Sequence, residues 1–380
     1  MPGELIIDSA FPGGNIIVEK IEGDTAFIRQ DLRDTEGDWF YWCFRVRGAA
    51  GRSVRFQFTG SNVIGLAGPA VCIGDRCGES GENWSWMGRS GVDGTGFSFS
   101  FPPDAREVRF CMGIPYLEHD LRRFLAGRPG IQQSVLCKSR KGRSVELLRL
   151  GRLQGAPDHR VLLACRHHCC EMMASYELEG LMDAVLASDD DGAWLREHVE
   201  FLVVPFADKD GVEDGDQGKN RRPRDHNRDY INDSVYPEPA ALRRLVPEWS
   251  AGRLRLSMDL HCPYIRGGVH NEEIYFVGGP EPNEWQTVLR FASMLQEVRR
   301  GPLPYDAANS LPFGQGWNTN ANFDGGRSFS RWAATLPGMQ FASSLELPYA
   351  MAGGVTVTPE TARAFGADLA RATRVFLAEC

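Results

Sequence analysis

Three short segments carry residues that could together build a hydrolytic metal site: CRHHCCE at 165–171, MDLHCPY at 258–264 and SLELPYA at 344–350. The first sets His168 and Glu171 three positions apart, a spacing that turns two side chains to one side. The second offers His261 and the third Glu346, each after an apolar run. Two histidines and one carboxylate are the ligand set of a catalytic rather than a structural zinc, because three protein ligands leave a fourth position for water. A separate carboxylate can then take the proton from that water. On this reading His168, Glu171 and His261 hold one zinc per chain and Glu346 is the general base.

The elements that must position these residues fall into two parts. Residues 15–112 hold short β-rich runs such as IIVEKI, WFYWCFRVRG, SVRFQFTG and EVRFCMG, divided by Gly, Asp and Pro clusters. With little helical periodicity among them, they predict an antiparallel β-sandwich. From about residue 133 the rhythm changes to apolar strands alternating with helical stretches: RVLLAC, EMMASYELEGLMDAVLA, VEFLVVPF, LRLSMDLH, IYFV and MQFASSLEL. Such alternation predicts an α/β domain with a mostly parallel mixed sheet flanked by helices. The predicted domains are 1–125 and 126–380. All three chemical segments follow a strand, where open α/β sheets place their ligands. Thr358 as N-cap and Pro359 at the first helical position predict a C-terminal helix covering one face.

Composition narrows the function classes. With 380 residues and 42% hydrophobic content, the chain can fill two cores without a disulfide or metal staple. Its net charge of -8 argues against nucleic acid as a partner. The opening MPGELIIDSAFPGG lacks the basic start and apolar core of a signal peptide, and no stretch reaches the ~20 apolar residues of a spanning helix. The expectation is a soluble cytoplasmic protein, off the membrane, whose ten cysteines are reduced thiols. The oligomeric state stays open.

Four motifs in order resemble the zinc metallocarboxypeptidases: the HxxE pair at His168 and Glu171, the stretch PFADKDGVEDGDQGKNRRPRDHNRDY, the DLH at Asp259 to His261, and SLELPYA around Glu346. With WFYWCFRV at 39–46 and RFCMGIPYLEHDL at 109–121, the whole chain looks like their cytosolic carboxypeptidase branch. The resemblance makes His167 a non-ligand beside the pair and Cys169 and Cys170 packing residues. Asp259, two residues before His261 on the same strand face, would orient a histidine ligand. The pattern departs from the family in two places: two cysteines stand where the family usually carries Pro-Gly, and no tyrosine occupies the usual interval before Glu346.

The resemblance also implies substrate contacts. A terminal carboxylate is bound by a guanidinium through two parallel hydrogen bonds, and the family's Asn-Arg pair falls on Asn227 and Arg228. The register of the cation that stabilises the oxyanion falls on Gly218, which points to Lys219 first and Arg222 second. Counting back from the general base puts Arg331 at the base of the pocket for the terminal residue. A cation there would favour acidic termini, in line with the glutamate preference of the cytosolic branch. The expected function is zinc-dependent hydrolysis of a C-terminal peptide bond, with a peptide or protein C-terminus as substrate. The alternatives are a zinc-dependent N-acyl amino acid deacylase of the aspartoacylase or desuccinylase kind, and a non-catalytic binding module on the same scaffold.

Overall fold

The computed structural model describes residues 4–265 and 269–380. Its first part is two five-stranded sheets facing each other. In the strand Ser53–Phe58, alternation turns Val54, Phe56 and Phe58 inward and leaves Ser53, Arg55 and Gln57 more open. The inward rings of the two sheets meet, with centroids 5.2 Å apart for each of the pairs Phe44–Phe56, Phe56–Phe110 and Phe97–Phe110. One pairing departs from the expected antiparallel pattern: Thr25–Arg29 and Ser53–Phe58 run parallel. The chain crosses to Cys43–Arg47 in the opposite sheet between them, so it re-enters from the same end.

The cysteine expectation also needs a correction. Eight thiols are free, but Cys72 and Cys77 form a disulfide, because the turn at Asp75–Gly78 brings their Cα atoms to 5.4 Å. The helix Glu118–Ala126 follows the sandwich, and the expected boundary after residue 125 falls in its last turn.

The second part is a seven-stranded sheet. Its strands are β1 (Gln132–Lys138), β2 (Ser144–Gly151), β3 (His159–Cys165), β4 (Val199–Val204), β5 (Leu254–His261), β6 (Tyr275–Val277) and β7 (Phe341–Glu346). The order is β1-β2-β4-β3-β5-β7-β6. β4, β3, β5 and β7 pair in parallel, while β1, β2 and β6 attach antiparallel. The parallel share is smaller than the sequence suggested, because β1 and β2 form a tight hairpin outside the strand–helix alternation. The central strands are buried on both faces, which explains the run Val199–Val204, apolar but for Glu200, whose charge is met by Arg149 and Arg160.

Helix α1 (Met173–Leu186) follows the first chemical segment, α2 (Phe329–Ala333) precedes β7, and α3 (Pro359–Ala378) closes the chain. Thr358 Oγ1 accepts from the Thr361 amide at 3.2 Å, and Pro359 opens α3, as expected. α1 and α3 cross at glycines. A Cβ on Gly180 would lie 1.9 Å from the Arg363 carbonyl oxygen, and one on Gly366 1.9 Å from that of Glu177. Among the described residues no helix is long and apolar enough to cross a membrane.

Candidate active site

The chain leaves β3 through Arg166, whose φ of 63° is unusual for a residue with a side chain. Its own buried guanidinium holds that turn: Nε donates to the Cys169 carbonyl at 2.8 Å, and Nη1 to the Tyr116 carbonyl and Ser175 Oγ, both at 3.0 Å. The turn brings His168 Nδ1 to 3.0 Å from Glu171 Oε1. On the neighbouring strand β5 and its partner β7, the pairing sets His261 opposite Glu346. His261 Nδ1 is 2.7 Å from Glu171 Oε2. The ligand atoms of His168, Glu171 and His261 thus all fall within 4.8 Å of one another.

A second group, His167, Asp259 and His261, also meets that distance. Its atoms are already bonded to each other: Asp259 Oδ1 lies 2.6 Å from His167 Nδ1, and Oδ2 lies 2.7 Å from His261 Nε2. Asn227 Nδ2 sits 3.0 Å from Asp259 Oδ2 and 3.1 Å from His261 Nε2, filling the space between. This group is a hydrogen-bond network of the interior, and its His167 and Asp259 do not line the cleft. The first group opens on a cleft of about 440 Å³ lined by His168, His261 and Glu346, and its two imidazoles and one carboxylate suit zinc.

The electrostatics agree. Burial opposes the Glu171 carboxylate, yet Lys219, His168 and His261 hold it well below the usual range. Burial also works against a charged His261, but Asp259 and Glu171 raise it well above an ordinary histidine; His168 is raised in the same way by Glu171 and Asp225. Surroundings that favour a proton on these nitrogens favour a cation on the same lone pairs. Burial, then the neighbouring Glu171, pushes the Glu346 carboxyl up.

The remaining expected residues separate. Lys219 lies in the cleft with Nζ 2.5 Å from Glu171 Oε1 and 3.5 Å from the Cys262 carbonyl. The register position before it must be glycine: at Gly218 φ is 76°, and a Cβ would lie 2.5 Å from the Cys169 amide. Arg222 is a correction. Its side chain is 69% exposed and paired with Glu36 at 2.6 Å, because the loop turns it away from the cleft. Asn227 Oδ1 accepts from the Phe329 amide at 2.8 Å, so only part of its Nδ2 is left for a ligand. Arg228 is anchored by Nε to the Asn322 carbonyl at 2.8 Å and Nη1 to the Asn227 carbonyl at 2.7 Å, and among the described residues nothing takes its Nη2. Arg331, on α2, lines the same cleft; its guanidinium lies 3.5 Å from the centre of the Phe323 ring, and Nη2 is buried without a partner. Arg228 flanks the same ring at 4.6 Å.

Sequence reasoning missed three contributors. Asp225 Oδ2 lies 3.3 Å from His168 Nε2, and its position two residues before Asn227 was the available signal. Tyr275 supplies a phenol to the cleft from β6, opposite Glu346, with its hydroxyl accepting from Trp317 Nε1 at 3.3 Å. Asp34 reaches from the sandwich and accepts from the amides of Gln217 at 3.0 Å and Gly218 at 2.9 Å, fixing the loop that presents Lys219. Nothing local in the sequence marks those last two.

No protein-family model matches the chain. Its curated relatives include an uncharacterized protein of Zymomonas mobilis, 26% identical over 243 residues, 63% of this chain and 62% of that one. Cytosolic carboxypeptidase 2 of Macaca fascicularis is 30% identical over 263 residues, 60% of this chain and 31% of that protein. The Mus musculus protein of the same name is 24% identical over 349 residues, 80% of this chain and 39% of its own length. The chain therefore spans less than two thirds of each. Among solved structures, a metallo-carboxypeptidase from Burkholderia cenocepacia superposes with a TM-score of 0.77 at 20% identity, covering 99% of both chains. One from Pseudomonas aeruginosa, in complex with (2-guanidinoethylmercapto)succinic acid, has a TM-score of 0.76 at 20% identity, covering 98% of this chain and 99% of that one. The chain has the metallo-carboxypeptidase fold, and its sequence relatives place the resemblance in the cytosolic branch.

Proposed function

We propose that this protein is a zinc-dependent carboxypeptidase that removes an acidic residue from the C-terminus of a peptide or protein. The observation that carries the reading is the register of β5 and β7, which sets the carboxylate of Glu346 beside His261 at the mouth of the His168–Glu171–His261 cluster. When bound there, zinc supplies Lewis acidity toward a water and the scissile carbonyl.

The chain's own groups do the rest. Arg228 grips the terminal carboxylate through its free Nη2, with the remaining Asn227 amide hydrogen beside it. Arg331, against the same Phe323 ring, takes a side-chain carboxylate. Two guanidiniums around one ring suit a terminal residue with two carboxylates. Lys219, burial-opposed but raised by Glu171, keeps its charge and faces the developing oxyanion. Glu346, whose carboxyl burial pushes above the usual range, accepts the proton of the attacking water and passes it to the leaving amine.

A panel of peptides differing only in the last residue, with the released amino acid identified, tests the reading. Release of glutamate or aspartate that stops on amidation of the terminal carboxylate is expected. Turnover indifferent to that amidation would instead favour the deacylase alternative.

A further inference from the structure

His167 takes no part in the chemistry just described, yet it is fully buried and saturated with partners. Its Nδ1 meets Asp259 Oδ1 at 2.6 Å and its Nε2 meets the Tyr230 hydroxyl at 2.7 Å. Asp259 is fully buried as well, and its second oxygen meets His261 Nε2 at 2.7 Å. Tyr230 is held by its ring, stacked on Trp332 with centroids 5.1 Å apart and edge-on to Phe329 at 5.3 Å. A continuous chain of hydrogen bonds therefore runs Tyr230–His167–Asp259–His261 through the interior.

We infer that His167 and Tyr230 are positioning residues that set the tautomer and aim of His261 as a metal ligand. The direction of every bond follows from what each group can do. Asp259 Oδ1 stands 2.6 Å from His167 Nδ1, and Oδ2 stands 2.7 Å from His261 Nε2 and 3.0 Å from Asn227 Nδ2, so the carboxylate accepts from both sides. His167 must then donate from Nδ1, which leaves Nε2 to accept from the Tyr230 hydroxyl. His261 must donate from Nε2, which leaves the lone pair of Nδ1 facing Glu171 and the metal cluster. Asn227 supports the same oxygen of Asp259 from the cleft side. Without His167, Asp259 Oδ1 would be a buried acceptor with no donor, free to turn away from His261 and release its ring.

The inference rests on His261 being a ligand, and the test separates the two ideas. The probe is zinc alone, titrated into metal-stripped full-length protein against a competing chelator, with the melting point of the stripped protein as a fold control. His167→Leu is expected to weaken zinc binding about 10- to 100-fold. Tyr230→Phe, which removes one hydroxyl and keeps the ring, should weaken it less at an unchanged melting point. His167→Asn, whose amide nitrogen can stand where Nδ1 does, should recover most of the loss. A folded His167→Leu protein with wild-type affinity overturns the inference, as does a His167→Asn protein as weak as His167→Leu. Should His167→Leu not fold, Tyr230→Phe decides: weaker binding supports the chain and unchanged binding overturns it. Stoichiometric zinc retained by His261→Ala would sink the metal assignment itself, a different failure.

Discussion

Replacing Arg331 with alanine should remove the preference for acidic termini while leaving the hydrolytic chemistry in place. Its guanidinium lines the cleft, where a substrate carboxylate would meet a charge already partly desolvated. Arg228 disfavours the charge after burial itself does, which makes an incoming anion more welcome. A hydrogen bond to a charged partner contributes roughly 1.5–3 kcal/mol in such a setting, or about 10- to 150-fold in kcat/KM. The assay compares paired peptides ending in Glu and Gln, which share shape and differ in charge. The wild-type Glu:Gln ratio in kcat/KM should be of that size and fall close to one in Arg331→Ala, with the Gln peptide nearly unaffected. A ratio that survives the substitution would refute the placement of specificity on Arg331. A wild-type preference for aliphatic or basic termini would refute the acidic reading and leave the carboxypeptidase reading standing.

Other expectations follow from the same geometry. Glu346→Gln should keep stoichiometric zinc and lose ~10²–10⁴ in kcat, measured by metal analysis beside steady-state kinetics. Lys219→Ala should cost about 3 kcal/mol of transition-state stabilisation, whereas the exposed Arg222→Ala should change kcat/KM by less than about twofold. His168→Ala should abolish stoichiometric zinc binding, read by metal analysis of the purified variant, because two remaining ligands hold the ion poorly. Glu177 is fully buried in α1 with both carboxyl oxygens unbonded, and burial followed by the Glu346 charge raises it well above 4.5. A carboxyl raised by folding destabilises the protein as pH climbs past its unfolded value, by about 1.4 kcal/mol per pH unit until the folded value is reached. Glu177→Leu should therefore stabilise the protein by roughly 2–4 kcal/mol at pH 7 and by much less near pH 4, read from denaturant midpoints; equal gains at both values would contradict this account.

The strand ends were legible in the sequence because parallel strands announce themselves as short apolar runs, and the chemistry sits where those runs stop. That is why His168, His261 and Glu346 could be found together from RVLLAC, LRLSMDLH and MQFASSLEL. The hairpin of β1 and β2 was less legible, since QQSVLCK is a largely exposed edge with no clear alternation. Arg222 and Lys219 looked alike in a basic run, and only the turn at Gly218 and the pairing with Glu36 tell them apart. Asp34, Tyr275 and the partners of His167 depend on contacts between segments far apart in the chain. Spacing within one segment carries no trace of such contacts.

The support that Asp34 lends to Gln217 and Gly218 is joined by Asn15, whose Nδ2 donates to the Gly215 carbonyl at 2.7 Å, and by the Tyr41 amide, which donates to Gln217 Oε1 at 2.7 Å. The second half therefore does not own the shape of the loop that carries Lys219; it borrows it. Grafting this sheet onto a relative's sandwich would leave Lys219 wherever the foreign partner of residues 215–218 happened to set it. Exchange of whole halves between relatives should therefore cost turnover unless the partners of residues 215–218 travel with them.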